Sequence, residues 1–188
     1  MSILVWIEQR DGKIRSVSGE SLGEATRLKA AFGGPIVGVC AAAADPGVTA
    51  LGAAGAEQVL LATHESFARY EPAGYTAAVV AAIEQVKPAV VLFAASSMGR
   101  DLAPRVAARL GVGLAAECTA LAVDGGALLA TRPIFASKAI QQVRFTKTPA
   151  LVTLRPKAFA PVTGSSAATV TPLAVSVDAA APRAKVTG

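Results

Sequence analysis

The stretch Ser96-Ser97-Met98-Gly99-Arg100-Asp101 carries the densest set of groups that do chemistry, and it follows directly on the apolar run Ala89–Ala94. Pro104 has no N–H and clashes with the carbonyl four residues back, which a helix tolerates readily only in its first turn. The spacing therefore predicts a helix from near Asp101, with Ser96–Arg100 as the loop at its N-terminus. Such a loop presents free amides, the positive end of the helix dipole, two hydroxyls and a guanidinium. Ser96, Ser97, Gly99 and Arg100 are thus candidates for a weak phosphate or anion site at the carboxyl edge of a sheet. The competing reading is structural: Ser97 or Asp101 caps the helix, Arg100 is solvated, and Asp101 pairs with Arg105 one turn on. The stretch is neither a P-loop nor a GxGxxG turn.

The other candidates offer little. His64 is the only histidine and lies between Thr63 and Glu65, where a surface or capping role is expected. Cys40 and Cys118 read as buried free thiols in a reducing compartment. No nucleophile–base pair and no metal-ligand spacing emerges, so no catalytic and no metal residue is assigned. Asp45 and Asp124 stand beside Pro46 and Gly125 as turn residues. Arg132, Lys138, Arg144 and Arg155 are spread along the later strands, as a basic face for a partner or as solvated strand surface. The net charge of +5 contains no block of consecutive Lys or Arg, which argues against nucleic acid.

Elements must position these groups. Of the residues, 53% are hydrophobic and 16% charged, yet no apolar run approaches the ~20 residues of a spanning helix. Membrane insertion is not expected, and a cytoplasmic location is. Ile3–Glu8 predicts a strand, Asp11-Gly12 a turn, and Ser21-Leu22-Gly23-Glu24 a capping box opening a helix with Leu22, Ala25, Leu28 and Phe32 on one face. Strands at Pro35–Cys40 and Gln58–Ala62 flank a short helix near Gly47–Ala53. Tyr75, Val79, Ile83 and Val86 mark a longer helix ending before Pro88, and Ala89–Ala94 predicts a central strand. After Leu110 the alternation stops. Ala120–Val123, a turn at Asp124–Gly126 and Ala127–Ile134 form a hairpin, with further strands at Ile140–Phe145 and Ala150–Leu154. The expected fold is α/β, with a mostly parallel sheet finished by antiparallel strands at the C-terminal side. Residues 161–188 are rich in Ser, Thr, Ala and Pro and read as an extended tail or linker, in which Leu173, Val175 and Val177 alternate as a strand would.

Three ordered motifs carry a family resemblance. Gly99-Arg100-Asp101-Leu102-Ala103-Pro104-Arg105-Val106-Ala107-Ala108-Arg109-Leu110, Thr131-Arg132-Pro133-Ile134-Phe135-Ala136-Ser137-Lys138-Ala139 and Thr153-Leu154-Arg155-Pro156-Lys157-Ala158-Phe159 are similar to segments of electron transfer flavoprotein alpha subunits. Ser137-Lys138 stands where that family reads Gly-Asn. The resemblance spans residues 1–160 and implies the N-terminal α/β domain of such a subunit, three-layered and of the adenine-nucleotide alpha-hydrolase-like type. It implies a scaffold that docks a beta subunit within an electron carrier, not an enzyme. The whole protein takes electrons from acyl-CoA and related dehydrogenases onto FAD and passes them to a quinone oxidoreductase. FAD is expected mostly in a C-terminal flavodoxin-like domain lying beyond Gly188, with none bound to this chain alone. The tail is expected to be mobile in an isolated monomer and ordered only against a partner. The alternative reading is a stand-alone nucleotide- or anion-binding α/β domain.

Overall fold

The computed structural model describes residues 1–176. The strands and helices run β1 (Ile3–Trp6), β2 (Gln9–Arg10), β3 (Lys13–Ile14), α1 (Ser16–Phe32), β4 (Ile36–Ala42), a 3₁₀ turn (Val48–Ala54), β5 (Gln58–Thr63) and a second 3₁₀ turn (Glu65–Ala68). They continue with α2 (Pro72–Val86), β6 (Val90–Ala94), α3 (Ser97–Leu110), β7 (Leu114–Cys118), β8 (Ala120–Asp124), β9 (Ala127–Ile134), β10 (Ala139–Arg144), β11 (Ala150–Leu154) and β12 (Thr169–Pro172). A seven-stranded sheet has the order β12-β5-β4-β1-β6-β11-β7, with its pairings parallel throughout. A separate three-stranded sheet, β10-β9-β8, is antiparallel.

Alternation along β1 divides the core in two. Ile3, Val5 and Ile7 face α1 and the small sheet, while Leu4 and Trp6 face α2 and α3. The helices sit on opposite faces because the chain reverses direction in the sheet. It steps from β1 through α1 to β4, and later from β5 through α2 across to β6, and right-handed crossovers then demand opposite faces. α2 has clear stops: the Glu71 carboxylate accepts from the Ala73 and Gly74 amides at 2.9 and 2.7 Å, Pro72 opens the helix, and Lys87 ends it at φ +49° ahead of Pro88.

Several expectations need correction. α1 begins at Ser16, so Ser21 and Glu24 lie inside it instead of capping it. Ser21 Oγ donates to the Val17 carbonyl at 3.1 Å, and buried Glu24 pairs with Arg27 at 2.6 Å. The helix start is held by β1, since the Arg15 amide and Ser18 Oγ both donate to the Glu8 carbonyl. β7, with the Ala-rich text Leu-Ala-Ala-Glu-Cys, lacks the β-branched residues that mark a strand. β11 does not join the antiparallel group. The three strands β8, β9 and β10 carry the chain down, up and down again, so it re-enters the large sheet from the amino edge, between β6 and β7.

The segment after residue 160 contributes an edge strand. β12 pairs with β5 from Thr169↔Gln58 to Pro172↔Leu61, and Leu173 is buried against the α2 side. The strand therefore precedes the alternation at Leu173 and Val175, and Val177 lies outside the described residues. The expectation of a tail ordered only by a partner is thus set against an edge pairing within one chain, from Thr169 to Pro172.

Cys40 in β4 and Cys118 at the end of β7 are buried and unbridged. Burial pushes the Cys40 thiol up to about 12 and that of Cys118 to about 11. The thiolate is the reactive form, so neither residue should react with a chromogenic disulfide reagent at about pH 8 in the folded chain. Denaturant should release both. A thiol that titrates rapidly without denaturant would contradict this packing.

Candidate functional site

The carboxyl ends of β1 and β6 lie side by side where strand order reverses, the place where open α/β sheets bind ligands. The candidates Ser96, Ser97, Gly99 and Arg100 stand there, but not as a loop. α3 starts at Ser97, and Pro104 lies inside it. Pro104 and Arg100 are both exposed, so the carbonyl freed by the missing N–H lies on the solvent side, the convex face away from which a helix bends and where water satisfies it. Ser96, rather than Ser97 or Asp101, is the cap: its Oγ accepts from the Gly99 amide at 3.0 Å. The same Oγ donates to the Glu8 carboxylate, which arrives from the end of β1.

Arg100 turns away from this point. Its Nε donates to the Ala95 carbonyl at 3.0 Å and its guanidinium pairs with Glu117 at 2.8 Å. Arg155 reaches the other oxygen of Glu117 at 3.4 Å. Glu117 sits at φ +56° where the β7–β11 register slips, its amide donating to Thr153 Oγ1 at 2.8 Å. The carboxyl edge thus holds an Arg–Glu–Arg cluster beside the Glu8–Ser96 contact. Sequence reasoning missed Glu8 and Glu117. The first had a signal, a carboxylate closing the apolar run Ile3–Ile7.

The remaining candidates disperse. Asp101 pairs with Arg105 at 2.9 Å and accepts from Tyr70 Oη at 2.6 Å. Those two donors, Arg105 first, hold the Asp101 carboxyl below its ordinary range. His64 caps the second 3₁₀ turn, as expected, with Nδ1 accepting from the Ser66 amide. Asp45 Oδ1 accepts from the Gly47 and Val48 amides. Arg132 and Arg144 lie on opposite faces of the small sheet by alternation, Arg144 on Asp124 at 3.2 Å and Arg132 with a buried Nε that has no partner. Arg155 belongs to the other sheet, so these residues make no common basic face. Ser137, Phe135 and Ala136 take φ of +69°, +49° and +53° in the β9–β10 turn, a conformation that suits the glycine of the similar family segment better than serine.

Among the described residues no three His, Cys, Asp or Glu side chains converge as a metal site. A cavity of about 610 Å³ opens at the amino edge, lined by Met1, Phe32, Leu110, Phe145 and Lys147 among others, far along the sheet from Ser96. A smaller one of about 280 Å³ lies beside Gln9, Asp45 and Phe67. No helix of the described residues is long and apolar enough to cross a membrane.

Residues 3–180 match the electron transfer flavoprotein domain family. Over 160 residues the chain is 36% identical to Protein FixB of Clostridium saccharobutylicum, covering 82% of this chain and 48% of that protein. It is 38% identical over 156 residues to the electron transfer flavoprotein subunit alpha of Syntrophomonas wolfei, covering 81% and 47%. The acryloyl-CoA reductase electron transfer subunit beta of Anaerotignum propionicum is 35% identical over 123 residues, covering 65% and 34%. The chain spans about half the length of the first of these relatives, matching their N-terminal part.

Proposed function

The chain belongs to the electron transfer flavoprotein family, and from that premise we propose that it serves as the scaffold and docking domain of an alpha subunit. In this reading it packs against a beta subunit in the cytoplasm. The assembled carrier takes electrons from acyl-CoA and related dehydrogenases onto FAD and delivers them to a quinone oxidoreductase. The domain itself performs no catalysis. The observation that carries the reading is the family match across residues 3–180.

The pyrophosphate of FAD does not fit the switch point of this sheet. A dinucleotide needs a glycine turn that lets backbone amides approach a pyrophosphate. At the switch point here the amide of Gly99 is already bonded to Ser96, and a carboxylate stands in front of it. In this reading a flavin in the carrier is held mostly by other segments, and this domain contributes shape and contact surface.

The chain is expected to purify colourless and to form a stable complex with a beta subunit on gel filtration. An absorbance scan and the elution profile check both. A stoichiometric flavin band that survives gel filtration of this chain alone would overturn the first expectation, and failure to co-elute the second.

A further inference from the structure

We propose that Glu8 is the chain's own occupant of the anion position at the sheet's switch point, and that it closes this crevice to phosphate-bearing ligands. Three observations place it there. Glu8 follows β1, the strand from which the order departs to β4 on one side and β6 on the other. It is only 8% exposed, and its carboxylate accepts from Ser96 Oγ, the N-cap of α3. Its backbone is pinned on both sides: the Glu8 amide donates to Ser18 Oγ at 2.9 Å, and the Glu8 carbonyl accepts from the Arg15 amide at 2.8 Å. These bonds fix the backbone from which the side chain projects, and the Ser96 hydroxyl is what holds the carboxylate itself.

The electrostatics follow from the same contacts. The start of a helix favours one negative charge, and a buried carboxylate there satisfies it. Among the described residues Glu8 has no cationic partner, because Arg100 is committed to Glu117 and to the Ala95 carbonyl. A phosphate approaching Gly99 meets that carboxylate at short range with no cation to offset the repulsion. The amides of Ser97 and Met98, which donate to no acceptor among the described residues, would serve a phosphate once the carboxylate is gone. This inference shares the Glu8–Ser96 contact with the account of the flavin above, but the phosphate titration and the flavin and gel-filtration readouts fail independently.

The test is a titration of inorganic phosphate into the ¹⁵N-labelled chain, followed at the amides of Ser97, Met98 and Gly99, for wild type, Glu8→Ala and Glu8→Gln. Wild type should show no saturable shift. Glu8→Ala should bind phosphate at those amides at least about tenfold more tightly, since removing a facing like charge at a helix start relieves the repulsion. Glu8→Gln keeps the size and the acceptor while removing the charge, and carries the test if the alanine variant does not fold. A folded charge-free variant whose amides stay still overturns the proposal. So does saturable binding to wild type as tight as to the variants.

Discussion

Gly99→Ala should lower the melting temperature by roughly 6–12 °C, the equivalent of about 3 kcal/mol in a domain of this size. Gly99 is buried in the first turn of α3, and a Cβ there would overlap the Ala94 carbonyl oxygen at the end of β6. That neighbour is the backbone of an internal strand, so it cannot turn aside as a side chain would. α3 has to retreat instead. Overfilling a packed site costs about 1–3 kcal/mol. Retreat also stretches the bond from the Gly99 amide to Ser96 Oγ, a cap worth about 1 kcal/mol. Alanine's better helix propensity returns at most about 1 kcal/mol. The loss is a large share of the 5–15 kcal/mol that holds a typical domain together. Thermal unfolding followed by circular dichroism decides the matter, and an unchanged melting temperature would show that α3 does not lie this close to β6.

Gly23→Ala should release the edge strand β12, though it lies far from it in sequence. Gly23 is in the middle of α1, and the chain passes directly over it after β11. A Cβ would overlap the Ala160 carbonyl oxygen and stand 3.0 Å from Pro161 Cα. Gly52 makes a similar close contact with the backbone of Ala167 and Ala168, just before β12. Two glycines therefore form the floor on which residues 160–168 lie. With a methyl at Gly23 the segment must lift, and β12 loses the anchor that aligns it with β5. The reporters are the Thr169 amide, bonded to the Glu57 carbonyl at 3.0 Å, and the Leu173 amide, bonded to Leu61 at 2.9 Å. Their hydrogen-exchange protection should fall about a hundredfold, corresponding to about 3 kcal/mol of local stability, while the β1 and β6 amides keep theirs. Undiminished protection of Thr169 and Leu173 would mean that β12 is held by β5 alone. Fast exchange of the same amides in the unmutated monomer would instead restore the expectation of a segment ordered by a partner.

Much of the scaffold is legible in the amino-acid sequence. β1, β4, β5 and β6 are short apolar runs bounded by turns, and they stand within two residues of where their text predicts. α2 follows from its apolar face, with Pro88 just beyond its end, and the Asp124–Gly126 turn from two glycines that take φ of +55° and +77°. These features depend on a residue and its near neighbours, so local preference suffices. The family was legible for a related reason. Its three motifs are contiguous, and their residue types survive reading in one dimension.

What local preference cannot supply is which distant segments meet. Ser96 and Glu8 are 88 residues apart, and nothing near Ser96 announces a carboxylate in front of it. The start of α3 at Ser97 has the same cause: a rule about proline in isolation leaves out that this proline faces water. Glu117 gathers Arg100 and Arg155 only because β7, β11 and the start of α3 share one edge of the sheet. The direction of β11 was likewise set by an odd number of strands in the excursion before it. Amino-acid types along the chain determined the strands, the helices and the family. Topology alone decided that the anion position at the switch point belongs to the protein's own carboxylate, because charge meets charge through space and not along the sequence.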